Sequence, residues 1–165
     1  MQFVLASRAV QHSGRGVWLS AVCALAALAQ QPVAFPHNTH SKLGMQCIDC
    51  HIGADLRDTA GIPSVRKCML CHAKLGKEKP EVEKVIAYAS KNIEIPWVRV
   101  YGFSADAHVK FRHAPHYRAG VSCATCHGDL TKATVAKHTV SLNMGSCLTC
   151  HRQRHASEDC AACHY

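Results

Sequence analysis

Phe111-Arg112-His113-Ala114-Pro115-His116-Tyr117-Arg118-Ala119-Gly120-Val121-Ser122-Cys123-Ala124-Thr125-Cys126-His127 decides the reading of this chain. Two histidines three apart are followed by a glycine, then by two cysteines three apart with a histidine directly behind. The same frame stands 76 residues earlier, where Phe35, His37, His40, Gly44, Cys47, Cys50 and His51 take the equivalent positions. The shared pattern, F-x-H-x-x-H-x3-G-x2-C-x-x-C-H, marks an internal repeat. Its closing element recurs three more times, as Cys68-Met69-Leu70-Cys71-His72, Cys147-Leu148-Thr149-Cys150-His151 and Cys160-Ala161-Ala162-Cys163-His164.

These copies use all but one of the 11 cysteines. Two thiols at this spacing can each add to one vinyl group of a haem, and the next residue then offers an imidazole beneath the iron. Other readings of the cysteines explain less. A disulfide framework is the usual expectation for an exported chain with an even cysteine number, yet it gives no reason for the histidines. Structural zinc takes four ligands from paired knuckles, and five units do not pair. A thioredoxin-like motif would appear once beside a βαβ pattern, which is not visible. The spacing therefore predicts five covalently bound haem c groups. They attach at Cys47 and Cys50, Cys68 and Cys71, Cys123 and Cys126, Cys147 and Cys150, and Cys160 and Cys163. His51, His72, His127, His151 and His164 are the expected proximal iron ligands.

The remaining cysteine, Cys23, lies in an apolar run from Val17 to Ala29 that follows Arg8 and Arg15 and ends in Ala27-Leu28-Ala29. This pattern predicts a secretory signal peptide over residues 1–29. The alternative is a membrane anchor, but thirteen helical residues rise only about 20 Å against a hydrocarbon layer of roughly 30 Å. Export would place the mature chain in the periplasm, soluble or attached to the outer face of the inner membrane.

Only 6 % of residues are aromatic and 18 % charged. The length and the lack of a glycine-rich phosphate loop exclude a large nucleotide-binding enzyme. With roughly 27 mature residues per haem, the macrocycles must supply the apolar surface of the interior. The expected fold is mainly irregular with short α-helices, little or no β-sheet, and a haem stack as the core. The formal net charge of +8 would ordinarily suggest nucleic acid or an anionic surface. Here the haem propionates account for most of it, so no nucleic-acid partner is expected. Arg57, Arg66, Arg112, Arg118 and Arg152 lie near the motifs as candidate propionate partners or as solvated surface charges.

Seven histidines of the mature chain remain for the distal positions. The repeat selects His37, His40, His113 and His116, because histidines three apart share one face of a helical turn and can reach two different irons. For the fifth position the candidates are His138 and Met144, both upstream of Cys147; a thioether there would raise that haem's potential. His108 and His155 rank behind them. Residues 30–76 read as a di-haem unit and residues 111–165 as a tri-haem unit. Residues 77–110 form a connection between them. Pro80 suits the first turn of a helix, with Val82, Val85, Ile86 and Ala89 as a stripe through about Asn92 that is expected to cover a haem face. Trp97-Val98-Arg99-Val100-Tyr101 alternates like a short extended segment.

The F-x-H-x-x-H pair leading into C-x-x-C-H resembles the class III multihaem c-type cytochromes. From Ile95 to His164, the runs IPWVRVYGF, FRHAPHYRAGVSCATCHG, LNMGSCLTCHR and DCAACH are similar to the pentahaem cytochrome subunits of alternative complex III and of molybdopterin-type quinone reductase complexes. The resemblance implies single-electron transfer in a respiratory chain. Partners would be other redox proteins, including iron–sulfur/molybdopterin and quinone-site membrane subunits, with membrane contact through them or through an uncleaved N-terminus. No catalytic residue is assigned. The competing class is a multihaem reductase for nitrite, hydroxylamine or a metal, which needs an iron with an open distal position. All five motifs end in histidine, and spare histidines outnumber irons.

Overall fold

The computed structural model describes residues 31–165; the expected signal peptide over residues 1–29, with its A-x-A site, lies outside the described residues. Short helices joined by irregular chain make up the rest. They are α1 (His37–Lys42), α2 (Cys47–Cys50), α3 (Val65–His72), α4 (Pro80–Ser90), α5 (His113–Arg118), α6 (Cys123–His127), α7 (Met144–Gln153) and α8 (Cys160–Cys163). Single 3-10 turns sit at Ala105–Ala107 and Leu130–Lys132. Among the described residues there is no strand, only an isolated antiparallel bridge between Val109 and His164. The architecture is thus irregular with short helices, the class that the sequence predicts. Among the described residues no helix is long and apolar enough to cross a membrane.

The longest helix, α4, follows from ordinary helix rules. Pro80 stands in its first turn, where a missing N–H costs nothing, and Glu81 and Glu83 place negative charge at the positive end of the helix dipole. Its apolar stripe meets α3, the helix that carries the second cysteine motif. Val85 joins Val33, Val65 and Ile95 in one buried cluster, with Cys68, Met69, Tyr88, Ala89 and Trp97 packed around it. The Trp97–Tyr101 segment forms no strand; Val98 instead exchanges two hydrogen bonds with the Gln31 side chain, at 2.7 and 3.0 Å.

A carboxylate pins the N-terminal segment to α4. Glu81 accepts the Ala34 amide at 2.6 Å and pairs with Lys84 at 2.7 Å. The Lys84 hydrogen bond first, and the Ala34 amide second, hold the Glu81 carboxyl below its usual range. A carboxyl with a depressed folded pKa contributes stability above its unfolded pKa and loses it as pH falls through the folded value. Glu81→Gln should therefore lower the stability of the holoprotein near pH 7 by less than ~1 kcal/mol, the solvent-exposed setting limiting the effect. The difference should shrink as pH falls through that lowered folded value, and be smaller in acid than at pH 7. Denaturant titrations under the two conditions read this, and an equal loss in both would contradict it.

The two repeats fold alike. Helices α1 and α5 each end on a glycine in the left-handed region, Gly44 (φ +83) and Gly120 (φ +68). A Cβ would meet nothing within 4 Å at either position, so conformation and not space requires glycine there. Each glycine closes its helix by bonding back, Gly44 to Ser41 and Gly120 to Tyr117, both at 3.0 Å. The chain then turns directly into a cysteine motif.

Candidate functional site

All five C-x-x-C-H motifs lie on a helical turn. In all five a polar side chain caps the start, Glu94 serving α3 by accepting the Val65 amide at 2.7 Å. Asp49 reaches back to the Gln46 amide at 2.7 Å ahead of α2, and Ser122 accepts the Ala124 amide ahead of α6. Asn143 and Ser146 cap α7 reciprocally at 3.0 Å, and Asp159 accepts the Ala161 amide at 3.1 Å ahead of α8. Such caps fix where each helix begins, so both thiols project from the same turn. All ten thiols are free. In four motifs the first is exposed and the second half-buried; α3 reverses this, with Cys68 half-buried and Cys71 exposed.

The histidines sort by burial. The five that close the motifs, together with His37, His40, His113 and His116, are half-buried, whereas His108, His138 and His155 are exposed. Seven of these nine, and none of the exposed three, bond a backbone carbonyl through Nδ1. Nδ1 donates to the Gly61 carbonyl from His51 (2.8 Å), to Leu75 from His72 (3.0 Å) and to Ala107 from His164 (3.1 Å), and His151 bonds Ser157 in the same way. On the upstream pairs, His40 donates to Pro36 (2.9 Å), His116 to Arg112 (2.7 Å) and His113 to Asp58 (2.8 Å). A carbonyl can only accept, so Nδ1 carries the proton and Nε2 is left with its lone pair. That is the tautomer of a neutral metal ligand held by its outer-shell partner.

Ring separations test whether haem iron fits these residues. Two imidazoles bound through Nε2 at about 2 Å on opposite sides of one metal have centres roughly 6 Å apart. His40 and His72 are 6.2 Å apart, His113 and His127 6.4 Å, and His116 and His151 6.0 Å. Each of these pairs joins a histidine of an F-x-H-x-x-H element to the closing histidine of a cysteine motif. The repeat makes His37 and His51 the equivalent of His113 and His127. Burial lowers the His37 pKa, and the adjacent charges of His51 and His40 lower it further. Burial likewise lowers that of His127, beside His113 and His51. A neutral imidazole is what a ligand requires. Two of the nine rings stand outside the pattern: His127 makes no such bond, and the His37 Nδ1 is buried without a hydrogen-bond partner.

The surroundings also suit an apolar macrocycle. Leu43 and Leu70 are each 75 % exposed beside the first two motifs, with Ile52, Leu56 and Ile62 also open to solvent. A cavity of about 460 Å³ lies between those motifs, lined by Cys50, Ile62, Pro63 and Leu70 with Arg66 and Lys67 at hand. Among the described residues no group of three or more His, Cys, Asp or Glu side chains is arranged to hold a bare metal ion. The residues therefore fit haem, with three ring pairs spaced to bracket an iron.

Two groups of positioning side chains escape the motif reading. Phe35 stacks on His40 and stands edge-on to His37, at 4.3 and 4.7 Å; Phe111 does the same to His116 and His113, at 4.6 and 4.9 Å. Their place in the repeat was the available signal. Tyr101 packs between His127 and His138 at 4.7 and 4.6 Å, and its hydroxyl accepts the Thr139 and Val140 amides. Nothing in the sequence pattern marks it. His138 thus packs on a phenol, and Met144 is 63 % exposed at the start of α7. Of the arginines near the motifs, Arg112 binds Asp58 at 2.9 Å and Arg152 binds Glu158 at 2.8 Å.

Two families match the chain. The class III cytochrome c family matches residues 20–97, and the family of cytochrome c7 and related cytochromes c matches residues 109–165. The two stretches carry the first and the second repeat respectively. No curated protein matches the chain.

Proposed function

We infer that the chain is a multihaem c-type cytochrome of class III, an electron carrier with covalently bound haem c, and on that premise that it holds five haems and relays single electrons in the periplasm. One end of the relay is a quinone-linked membrane complex, and the other is a further redox partner. The three imidazole pairs at 6.0–6.4 Å carry this reading. Cysteines of the five motifs hold the haem edges, and His51, His72, His127, His151 and His164 are the proximal ligands. His37 pairs with His51, His40 with His72, His113 with His127 and His116 with His151. The fifth distal position belongs to His138 or Met144.

When bound, haem supplies reversible one-electron exchange at iron, with a potential set by its ligands and their hydrogen bonds. The protein's part is to hold the rings. Carbonyls of Gly61, Leu75, Asp58, Pro36 and Arg112 fix tautomer and direction, and Phe35 and Phe111 brace both rings of each pair. Where two rings would bracket one iron, they would deny small molecules access to it.

Mature protein purified from a host competent for haem attachment should gain the mass of five haems. Its spectrum should be low-spin throughout and should not move on adding carbon monoxide or nitrite. An iron that binds either would overturn the carrier reading in favour of a reductase. Copurification from solubilised membranes tests the iron–sulfur/molybdopterin and quinone-site partners.

A further inference from the structure

The first-turn amides of a helix need acceptors from outside it, and in α1 and α5 these acceptors come from the opposite repeat. In α5 the His113 amide bonds the Asp58 carbonyl at 3.0 Å and the Ala114 amide bonds the Arg57 carbonyl at 3.1 Å. In α1 the His37 amide bonds the Thr134 carbonyl at 3.1 Å and the Asn38 amide bonds the Ala133 carbonyl at 2.8 Å. Adding 76 to His37, Asn38, Arg57 and Asp58 gives His113, Ala114, Ala133 and Thr134. The contact made by the second repeat on the first is therefore made back by the first on the second. This reciprocity defines an isologous, two-fold interface, here within a single chain.

Other pairs obey the same symmetry. The Cys47 thiol lies against that of Cys123, its equivalent, and His51 lies beside His127, its equivalent.

We infer that the two repeats dock as a pseudo-twofold pair in which each supplies the backbone carbonyl that positions a distal histidine of the other, Asp58 for His113 and Thr134 for His37. This rests on the haem reading above, which makes those rings ligands. The Asp58 carbonyl accepts both the amide and the Nδ1 of His113, the latter at 2.8 Å. In the mirror position Thr134 takes the His37 amide, and the His37 Nδ1 is buried without a hydrogen-bond partner. One side has a reinforcement the other lacks. Arg112 clamps Asp58, whereas their equivalents are Pro36 and Thr134.

That asymmetry provides the test, made on the five-haem holoprotein by amide exchange and by NMR of haem methyls assigned through their cysteines. Amides of His37, Asn38, His113 and Ala114 should be protected. Arg112→Gln should speed exchange at His113 and Ala114 about two- to five-fold, the range of one exposed ion pair. It should also shift the methyl signals of the haem on Cys123 and Cys126 while leaving those on Cys47 and Cys50 in place. Building the missing clamp with Pro36→Arg and Thr134→Asp should slow exchange at His37 and Asn38 by a similar factor. Unprotected amides, an unmoved haem on Cys123 and Cys126, or a shift confined to the haem on Cys47 and Cys50 would overturn the inference. So would a rebuilt clamp without effect. A mass short of five haems would instead overturn the five-haem reading, before any exchange is measured.

Discussion

Chain produced where haem cannot be attached should be largely unfolded, with most far-UV helical signal lost and amide protection absent outside the α3–α4 region. Among the described residues the buried apolar ones number six, Val33, Val65, Val82, Val85, Ile95 and Ala114, and none has a side chain less than 2 % exposed. Fully burying one valine contributes about 1.5–3 kcal/mol, while fixing one residue's backbone costs about 1–2 kcal/mol. Side chains alone cannot offset the ordering of a chain this long. Local helix formation does not help, because α1, α2, α5, α6 and α8 are four to six residues long. Isolated helices shorter than about 12–15 residues are marginal in water. Haem must supply the missing interior, as metal does for small metal-dependent domains. Circular dichroism and amide exchange on apoprotein and holoprotein measure this. Native-like protection in the apoprotein at His113 or His151 would contradict the idea of a haem core.

What the sequence reveals follows from what its chemistry constrains. Thioether attachment and axial ligation demand fixed spacings, so the five motifs, the F-x-H-x-x-H pairs and the glycines that end α1 and α5 can be read as letters. Helix α4 is legible because Pro80 and the Val82–Val85 spacing follow general helix rules; the structure ends it at Ser90, two residues before the expected Asn92. The partner of the α4 stripe is not legible, since an apolar face does not name what it meets, and it meets α3. Nor is the reciprocal docking of the repeats, because Arg57, Asp58, Ala133 and Thr134 act through backbone carbonyls that any residue offers. Tyr101 is hidden for a similar reason. Its ring is far from His127 and His138 in sequence, and only the fold brings the three together. Along one covalent motif the pattern is readable; between segments it is not.

Replacing His116 by alanine should open one iron without detaching any haem. The His116 ring lies 6.0 Å from that of His151, its Nδ1 is committed to the Arg112 carbonyl at 2.7 Å, and Phe111 stacks on it at 4.6 Å. Its Nε2 is thus free and held in direction. Removing the ring leaves His151 as the one protein ligand to its iron, and Cys147 and Cys150 still bind the porphyrin. About one-fifth of the haem should become high-spin and bind carbon monoxide, at unchanged mass. His40→Ala should do the same at His72, its partner at 6.2 Å. His116→Met separates ligation from packing, because a thioether keeps the iron low-spin while raising its potential; a ring needed only for packing would give no such rise. The same measurement decides the fifth position. His138 rests on Tyr101 and Met144 is exposed, and alanine at the true ligand opens an iron whereas alanine at the other does not. If His116→Ala leaves every iron low-spin and blind to carbon monoxide, the ring pairs are packing contacts, and the assignment of ligands to motifs falls with them.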